Sequence, residues 1–164
     1  MTEQDSLSDF PQDLPQSSGR PEQGYLRIPN RFAVHGPVPE RLRARVVQEL
    51  ADGAISIMEG APESGLSSAG ITPVYALGPG QSAAVPTGRV LVRFAPEDLA
   101  DRHRDAIESA GYRIAEVLTY APQAAWVEAI DASRASGLTG IARLQQLPGI
   151  VHLEPEMVRQ GRRG

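Results

Sequence analysis

Residues 89–118 read RVLVRFAPEDLADRHRDAIESAGYRIAEVL, and this stretch decides the fold class. Its first six residues, 89–94, are rich in β-branched and aromatic side chains and predict a strand. Pro96 followed by two acids suits the first turn of a helix, where acids complement the helix dipole. Gly111 stands where that helix should end, and residues 112–118 again have strand composition. The stretch therefore predicts strand, helix and strand in succession.

The same alternation continues towards the C-terminus. After a short turn, residues 125–130 predict a third strand, and residues 137–147 predict a second helix because leucine and isoleucine recur every three residues. Pro148 and Gly149 end that helix, and residues 150–153 form the last predicted strand. Over about 65 residues, the order β-α-β-β-α-β predicts an α+β, ferredoxin-like fold with a four-stranded antiparallel sheet and both helices on one face.

The N-terminal half is predicted to be less regular. Residues 1–23 carry few apolar side chains, so we expect a disordered leader. Apolar side chains recur every four residues within 39–59 and predict a helix, whereas 60–87 is a Gly- and Pro-rich loop with one short strand. The predicted domains are therefore the leader 1–23, a helix-containing extension 24–87, a compact domain 88–156 and an extended tail 157–164.

Composition and charge exclude several classes of protein. The chain has 164 residues, 41% of them apolar, and a net charge of −4, which argues against a general nucleic-acid binder. It contains no cysteine, so disulfides, zinc–thiolate sites and thiol nucleophiles are excluded. The polar N-terminus lacks the basic and apolar regions of a signal peptide, and no apolar run approaches the ~20 residues of a membrane span. We therefore expect a cytoplasmic protein with no membrane and no nucleic-acid partner.

Residues 140–156 read GIARLQQLPGIVHLEPE: the end of a helix, a Pro-Gly turn, a short apolar strand and two acids that flank a proline. Together with the strand at 89–94, this pattern resembles the inhibitor-type propeptide domain of subtilisin-like serine proteases, the subtilases. The resemblance covers residues 88–164, about the last half of the chain. The positions that carry it are Val92, Phe94, Gly111, Leu144, Pro148, Ile150, His152, Leu153, Glu154 and Glu156.

The resemblance implies a partner and a mode of binding. Domains of this family pack the helix-free face of their sheet on two helices of the protease, inhibit the mature enzyme and assist its folding. Glu154 and Glu156 are two apart on an extended segment, so both carboxylates are expected to point the same way. The resemblance makes them the acids that cap the N-termini of the two protease helices, where exposed N–H groups favour anions. Pro155 between them stiffens the segment.

The tail is implied to enter the active-site cleft of the protease as an added strand, with main-chain bonds giving affinity and alternate side chains giving specificity. If the tail is aligned with the family pattern without gaps, the resemblance puts Arg162 in the S1 pocket and Arg159 in the S4 pocket. A register shifted by one residue stays open. An acidic S1 pocket would suit Arg162. The residues of the cleft-binding tail are Met157, Val158, Arg159, Gln160, Gly161 and Arg162.

Catalysis is not expected from this sequence. His35, His103 and His152 are the only histidines, and neither a nucleophile elbow nor a zinc-protease motif is present. We therefore predict no catalytic, metal or cofactor residues, and a monomer or a heterodimer with the protease. The alternative is a ferredoxin-like regulatory or assembly module that dimerises or binds a small ligand through its open sheet. Trp126 lies in the third predicted strand, but alternation alone does not decide which face it occupies.

Overall fold

The computed structural model describes residues 5–16, 24–63, 66 and 70–160. The chain forms two compact units. The first contains the described parts of Met1–Asp13, Tyr25–Pro86 and Met157–Gly164, and the second contains those of Leu14–Gly24 and Thr87–Glu156. Each unit is therefore assembled from segments that are distant in sequence.

Strands are the main regular elements in the described part of the chain up to residue 76. The elements in this part are α1 (Asp5–Ser8), β1 (Asp13–Pro15), β2 (Gly24–His35), a 3₁₀ turn (Glu40–Arg45), β3 (Val46–Leu50), β4 (Ile55–Glu59) and β5 (Ile71–Ala76). β2 pairs with β4 on one side and with β5 on the other, and β3 pairs with β4, so the order is β3-β4-β2-β5. All of these pairs are antiparallel.

Both faces of this sheet are apolar. Phe32 and Val34 belong to a cluster on one face, and Ala33 between them belongs to a cluster on the other, as the period of two in a strand requires. The Phe32 cluster consists of Leu7, Phe32, Val34, Leu42, Met58 and Ile71. The Ile57 cluster consists of Ala33, Leu50, Ile55, Ile57, Val74 and Val85. Because both faces are covered, β5 is buried along its whole length.

The prediction of a helix at 39–59 is wrong. This stretch forms a 3₁₀ turn and then β3 and β4, which are joined by a turn at Ala51–Gly53 with positive φ values of 53°, 56° and 90°. The four-residue spacing between Val46 and Leu50 is even, so it fits one face of a strand as well as one face of a helix. Pairing of β4 with β2 decides between the two, because it buries the four consecutive side chains of 55–58.

The N-terminal segment also differs from the prediction. Residues 5–16 were expected to belong to a disordered leader, but they contain α1 and β1. Leu7 and Phe10 are buried there, and Leu7 joins the Phe32 cluster. A few well-placed apolar side chains are therefore enough to fix a segment whose average composition is polar. Residues 1–4 and 17–23 of the predicted leader lie outside the described residues.

The second half of the chain follows the predicted order of strands and helices. Its elements are β6 (Ala84–Phe94), α2 (Arg104–Ser109), β7 (Tyr112–Leu118), β8 (Ala121–Ala129), α3 (Arg134–Thr139), α4 (Ile141–Gln145) and β9 (Ile150–Arg159). The strand order is β9-β6-β8-β7, and β8 is antiparallel to β6 and β7. The first unit takes residues 84–86 of β6 and residues 157–159 of β9. The α+β class predicted from the sequence is confirmed.

The helices of the second unit are shorter than predicted. The helix expected to open at Pro96 begins as a 3₁₀ turn at Ala100–His103 and continues as α2. The helix expected over 137–147 is divided into α3 and α4 at Gly140. A side chain at Gly140 would place its Cβ 2.6 Å from the Tyr112 hydroxyl oxygen, so the position requires glycine.

Side-chain caps fix the start of α3. Ser133 is the N-cap, and its hydroxyl accepts a hydrogen bond of 3.2 Å from the backbone N–H of Ser136. The Asp131 carboxylate accepts from the Ser133 backbone N–H at 2.9 Å and from the Ser136 hydroxyl at 2.8 Å. These two bonds hold the pKa of the Asp131 carboxyl below its usual range, because they favour the ionised form.

The helical segments of the second unit pack on one face of its sheet. The ring of Phe94, from β6, stacks on the His103 ring with the centroids 3.9 Å apart. The Tyr112 hydroxyl, from β7, donates a hydrogen bond of 2.5 Å to the carbonyl oxygen of Gly137 in α3. Phe94, Tyr112 and Val92 are fully buried on this face. The opposite face of the sheet is therefore the one on which polar and partly exposed side chains are found.

Burial of the Tyr112 hydroxyl gives a testable pH dependence. Desolvation raises its pKa from 10.0 to about 12, so the stability that its neutral form contributes is complete below pH 10 and is lost as the pH rises through 12. Tyr112→Phe should lower the free energy of unfolding by about 1 kcal/mol at pH 7, and that deficit should shrink above pH 10. Tyr120→Phe is the control, because Tyr120 is 84% exposed. A Tyr112→Phe deficit that stays constant from pH 7 to 12 in denaturant titrations would contradict the assignment.

Candidate partner-binding face and tail

The sheet of the second unit has an outer face, which we define as the face opposite the helices. Alternation along the strands places its members opposite the buried core positions. Leu91 is paired with Trp126, and Arg93 with Ala124, across β6 and β8. Across β7 and β8, Arg113 is paired with Glu128. The outer face thus contains Arg89, Leu91, Arg93, Arg113, Glu116, Leu118, Ala124, Trp126 and Glu128.

A small apolar patch lies at the centre of the outer face. Leu91, Leu118 and Ala124 form a buried cluster, and Trp126 packs against it while remaining partly exposed. The guanidinium of Arg89 lies over the Trp126 ring, 5.5 Å from its centroid. Trp126 is therefore held by contacts with the apolar cluster and with Arg89. This position could not be assigned from the sequence, because β8 carries small residues on both faces.

Charged pairs surround this patch. Arg113 lies 2.6 Å from a Glu128 carboxylate oxygen, and Arg89 lies 3.6 Å from a Glu116 carboxylate oxygen. These side chains are 30–64% exposed, so each pair contributes at most about 1 kcal/mol to stability. The two pairs place arginine side chains on the same face as Trp126. Tryptophan and arginine are the side chains most enriched at the energetic centre of protein interfaces.

The two predicted capping acids lie on β9, on the side away from its buried residues. Leu153 and Pro155 are buried, and the side chains of Glu154 and Glu156 alternate with them. Glu154 has an oxygen 3.6 Å from the His152 ring, and its side chain is 40% exposed. Glu156 accepts a hydrogen bond of 2.7 Å from the Thr87 hydroxyl. Glu154 therefore retains the greater capacity for a partner, and Glu156 is partly occupied within its own unit.

The described part of the tail is extended and packed. Met157, Val158 and Arg159 are the last residues of β9, and all three are half-buried in the first unit. Val158 packs against the Ile57 cluster. The Arg159 guanidinium donates a hydrogen bond to the Tyr25 hydroxyl. Predicted site residues Gly161 and Arg162 lie outside the described residues.

Other candidate sites have structural explanations. The His103 ring is 2.9 Å from an Asp98 oxygen, and the His35 ring is 2.9 Å from the Thr72 hydroxyl. A cavity of about 70 Å³ beside Arg134 is well below the ~300 Å³ of a small-molecule site. Within the described residues, no group of three His, Cys, Asp or Glu side chains could hold a metal ion. None of the helices in the described ranges is long and apolar enough to cross a membrane.

The contact between Arg159 and Tyr25 is one of two features of the site that the sequence did not reveal. The two residues are 134 positions apart, and no local pattern relates them. The apolar patch was also missed, since it depends on the register of β6, β7 and β8. Comparison of the whole chain with protein families, with curated proteins and with solved structures finds no significant match.

Proposed function

We propose that this chain is a non-catalytic inhibitor of a subtilisin-like serine protease, and that it also assists the folding of that enzyme. The observation that carries the proposal is the course of β9. This strand presents Glu154 and Glu156 on one side and continues without a break into the extended residues Met157–Arg159, which lead to a basic tail. A cytoplasmic location, without nucleic-acid or membrane partners, remains part of the prediction.

The strand order of the second unit supports this proposal. The strands are ordered β9-β6-β8-β7, with one helical segment after β6 and another after β8. This order is expected of a ferredoxin-like βαββαβ arrangement, and we propose that the unit adopts it. The contacts of Phe94 with His103 and of Tyr112 with Gly137 support an arrangement with the helical segments on one face. The outer face is then the surface that the proposed inhibitor applies to the protease, with Trp126 at its centre.

Glu154 is the side chain best placed to meet a helix N-terminus of the protease. Its carboxylate is partly exposed, and one of its oxygens lies 3.6 Å from the His152 ring. A carboxylate placed at the exposed N–H groups of a helix accepts hydrogen bonds and interacts favourably with the helix dipole. Glu156 is tied to Thr87, so its contribution to binding should be smaller.

The proposal is tested by inhibition of a panel of subtilisin-like proteases with preferences for basic or for apolar P1 residues. We expect tight inhibition of a member with an acidic S1 pocket. The apolar patch around Trp126 also suits the alternative, a module that dimerises through its sheet. If no member of the panel is inhibited, and the chain self-associates in a way that Trp126→Ala abolishes, the result would favour that alternative and contradict the proposed inhibitor function.

Substitution of Glu154 measures its part in binding. Glu154→Gln keeps the shape and removes the charge, and we expect the inhibition constant to rise about fivefold, which corresponds to roughly 1 kcal/mol for a carboxylate at a helix terminus. Glu108→Gln is the matched control, because Glu108 is an exposed acid on α2. Equal inhibition constants for Glu154→Gln and the unmodified chain would show that the Glu154 charge does not contribute to the interface.

A further inference from the structure

The first unit holds the end of β9 through three different kinds of contact. Val158 contributes an apolar side chain to the Ile57 cluster. Arg159 binds Tyr25 through a hydrogen bond and through its position over the ring, 5.4 Å from the centroid. Gln160 accepts a hydrogen bond of 2.7 Å from the side-chain amide of Gln48. Residues 157–160, which we name the tail strand, are therefore bound by a hydrophobic contact, a charged contact and a polar contact.

The contact of Arg159 is the strongest of the three. Tyr25 is 3% exposed and lies at the start of β2, so its ring is fixed by the sheet. A hydrogen bond from a guanidinium is charge-assisted and stronger than a neutral one, and the face of the ring adds a cation–π attraction. Arg159 itself is half-buried, so breaking the contact exposes both the apolar ring and the stem of the arginine.

We infer that the first unit is a strand-binding platform whose resident ligand is the tail strand of the same chain. A protein that takes residues 157–160 as an added strand needs their backbone and alternate side chains. It must therefore displace Val158 and Arg159 from this platform. The apparent affinity of such a partner is lowered by the fraction of molecules in which the tail strand is bound. The identity of the competitor as a protease rests on the proposed function, but the platform itself does not.

The platform is tested on the isolated, full-length chain. Tyr25→Phe removes the hydroxyl and keeps the ring, and Gln48→Ala removes the amide, so neither alters the tail strand itself. We expect amide hydrogen exchange at 157–160 and tryptic cleavage after Arg159 to become about tenfold faster in the double variant, as for the loss of a hydrogen bond to a charged group. Mass spectrometry separates this cleavage from cuts after the arginines that follow.

Matched controls and a simpler variant keep the test decisive. Tyr120→Phe and Gln146→Ala make the same chemical changes at exposed positions of the second unit and should leave both rates unchanged. Gln48→Ala alone, with the buried Tyr25 intact, serves if the double variant is less stable. Exchange and cleavage rates equal to those of the unmodified chain, in variants with unchanged denaturation midpoints, would overturn the platform.

Inhibition kinetics separate this inference from the proposed function. If the chain inhibits a protease, the double variant should associate with it faster by about the factor seen in exchange, since more molecules present a free tail strand. Faster exchange with no inhibition of any protease supports the platform and rejects the proposed function. Unchanged exchange with intact inhibition rejects the platform and leaves the proposed function standing.

Discussion

Replacement of Arg162 by alanine is expected to weaken inhibition of a protease with an acidic S1 pocket by about 3 kcal/mol, or roughly 150-fold. Arginine anchors that fill a pocket at the centre of an interface have effects of this size. Arg162 lies outside the described residues, so the expectation rests on the register implied by the resemblance and on the extended course of β9 up to Arg159.

Arg163→Ala is the matched control for this prediction, because it changes the same side chain one residue later. Inhibition constants of the two variants, measured against one enzyme and one substrate, decide the register. A large effect of Arg162→Ala alone supports the ungapped register, and a large effect of Arg163→Ala alone indicates a slip by one residue. Equal, small effects of both would show that the tail does not occupy the S1 pocket.

Gly137→Ala is expected to destabilise the second unit by about 3 kcal/mol or more, at the upper end of overpacking effects. A Cβ at Gly137 would lie 2.2 Å from the carbonyl oxygen of Gly88, so α3 and β6 would have to move apart. Gly88 cannot adjust easily: it has a φ of +95°, and a Cβ there would lie 2.9 Å from the Cα of Arg134.

The measurement is denaturant unfolding followed by the fluorescence of Trp126, which is the only tryptophan and reports on the second unit. Gly78→Ala is the same substitution in the first unit and serves as the control, since a Cβ at Gly78 meets only the Gln81 side chain, at 3.8 Å. We expect Gly78→Ala to stay within about 0.5 kcal/mol of the unmodified chain. A Gly137→Ala protein of the same stability as Gly78→Ala would mean that the close approach of α3 and β6 is not required.

Local patterns account for most of what could be predicted of the fold. The strands expected at 89–94, 112–118 and 150–153 all lie within strands of the structure, because alternation and the Gly and Pro positions mark them without reference to distant residues. The hairpin of β3 and β4 was not predictable in this way. Its apolar spacing fits a helix equally well, and only pairing with β2 makes the strand the more stable choice.

The features of the candidate site also differ in whether a local pattern is sufficient to predict them. The shared side of Glu154 and Glu156 follows from alternation in a single strand, so the sequence is sufficient for it. The face of Trp126 depends on pairing with Leu91 and with Glu116, next to a register shift in β7 that no local pattern announces. The contact of Arg159 with Tyr25 joins residues 134 positions apart and could not be predicted without the fold.

The two units share strands β6 and β9, and this arrangement limits how the protein can change during evolution. Recombination at 87/88 would transfer residues 88–156 together with residues 157–159, and so would deprive the first unit of Val158 and of the contact that Arg159 makes with Tyr25. Neither unit can therefore be exchanged as a single continuous gene segment. We expect homologous genes to gain or lose the two units together, with insertions confined to the loops.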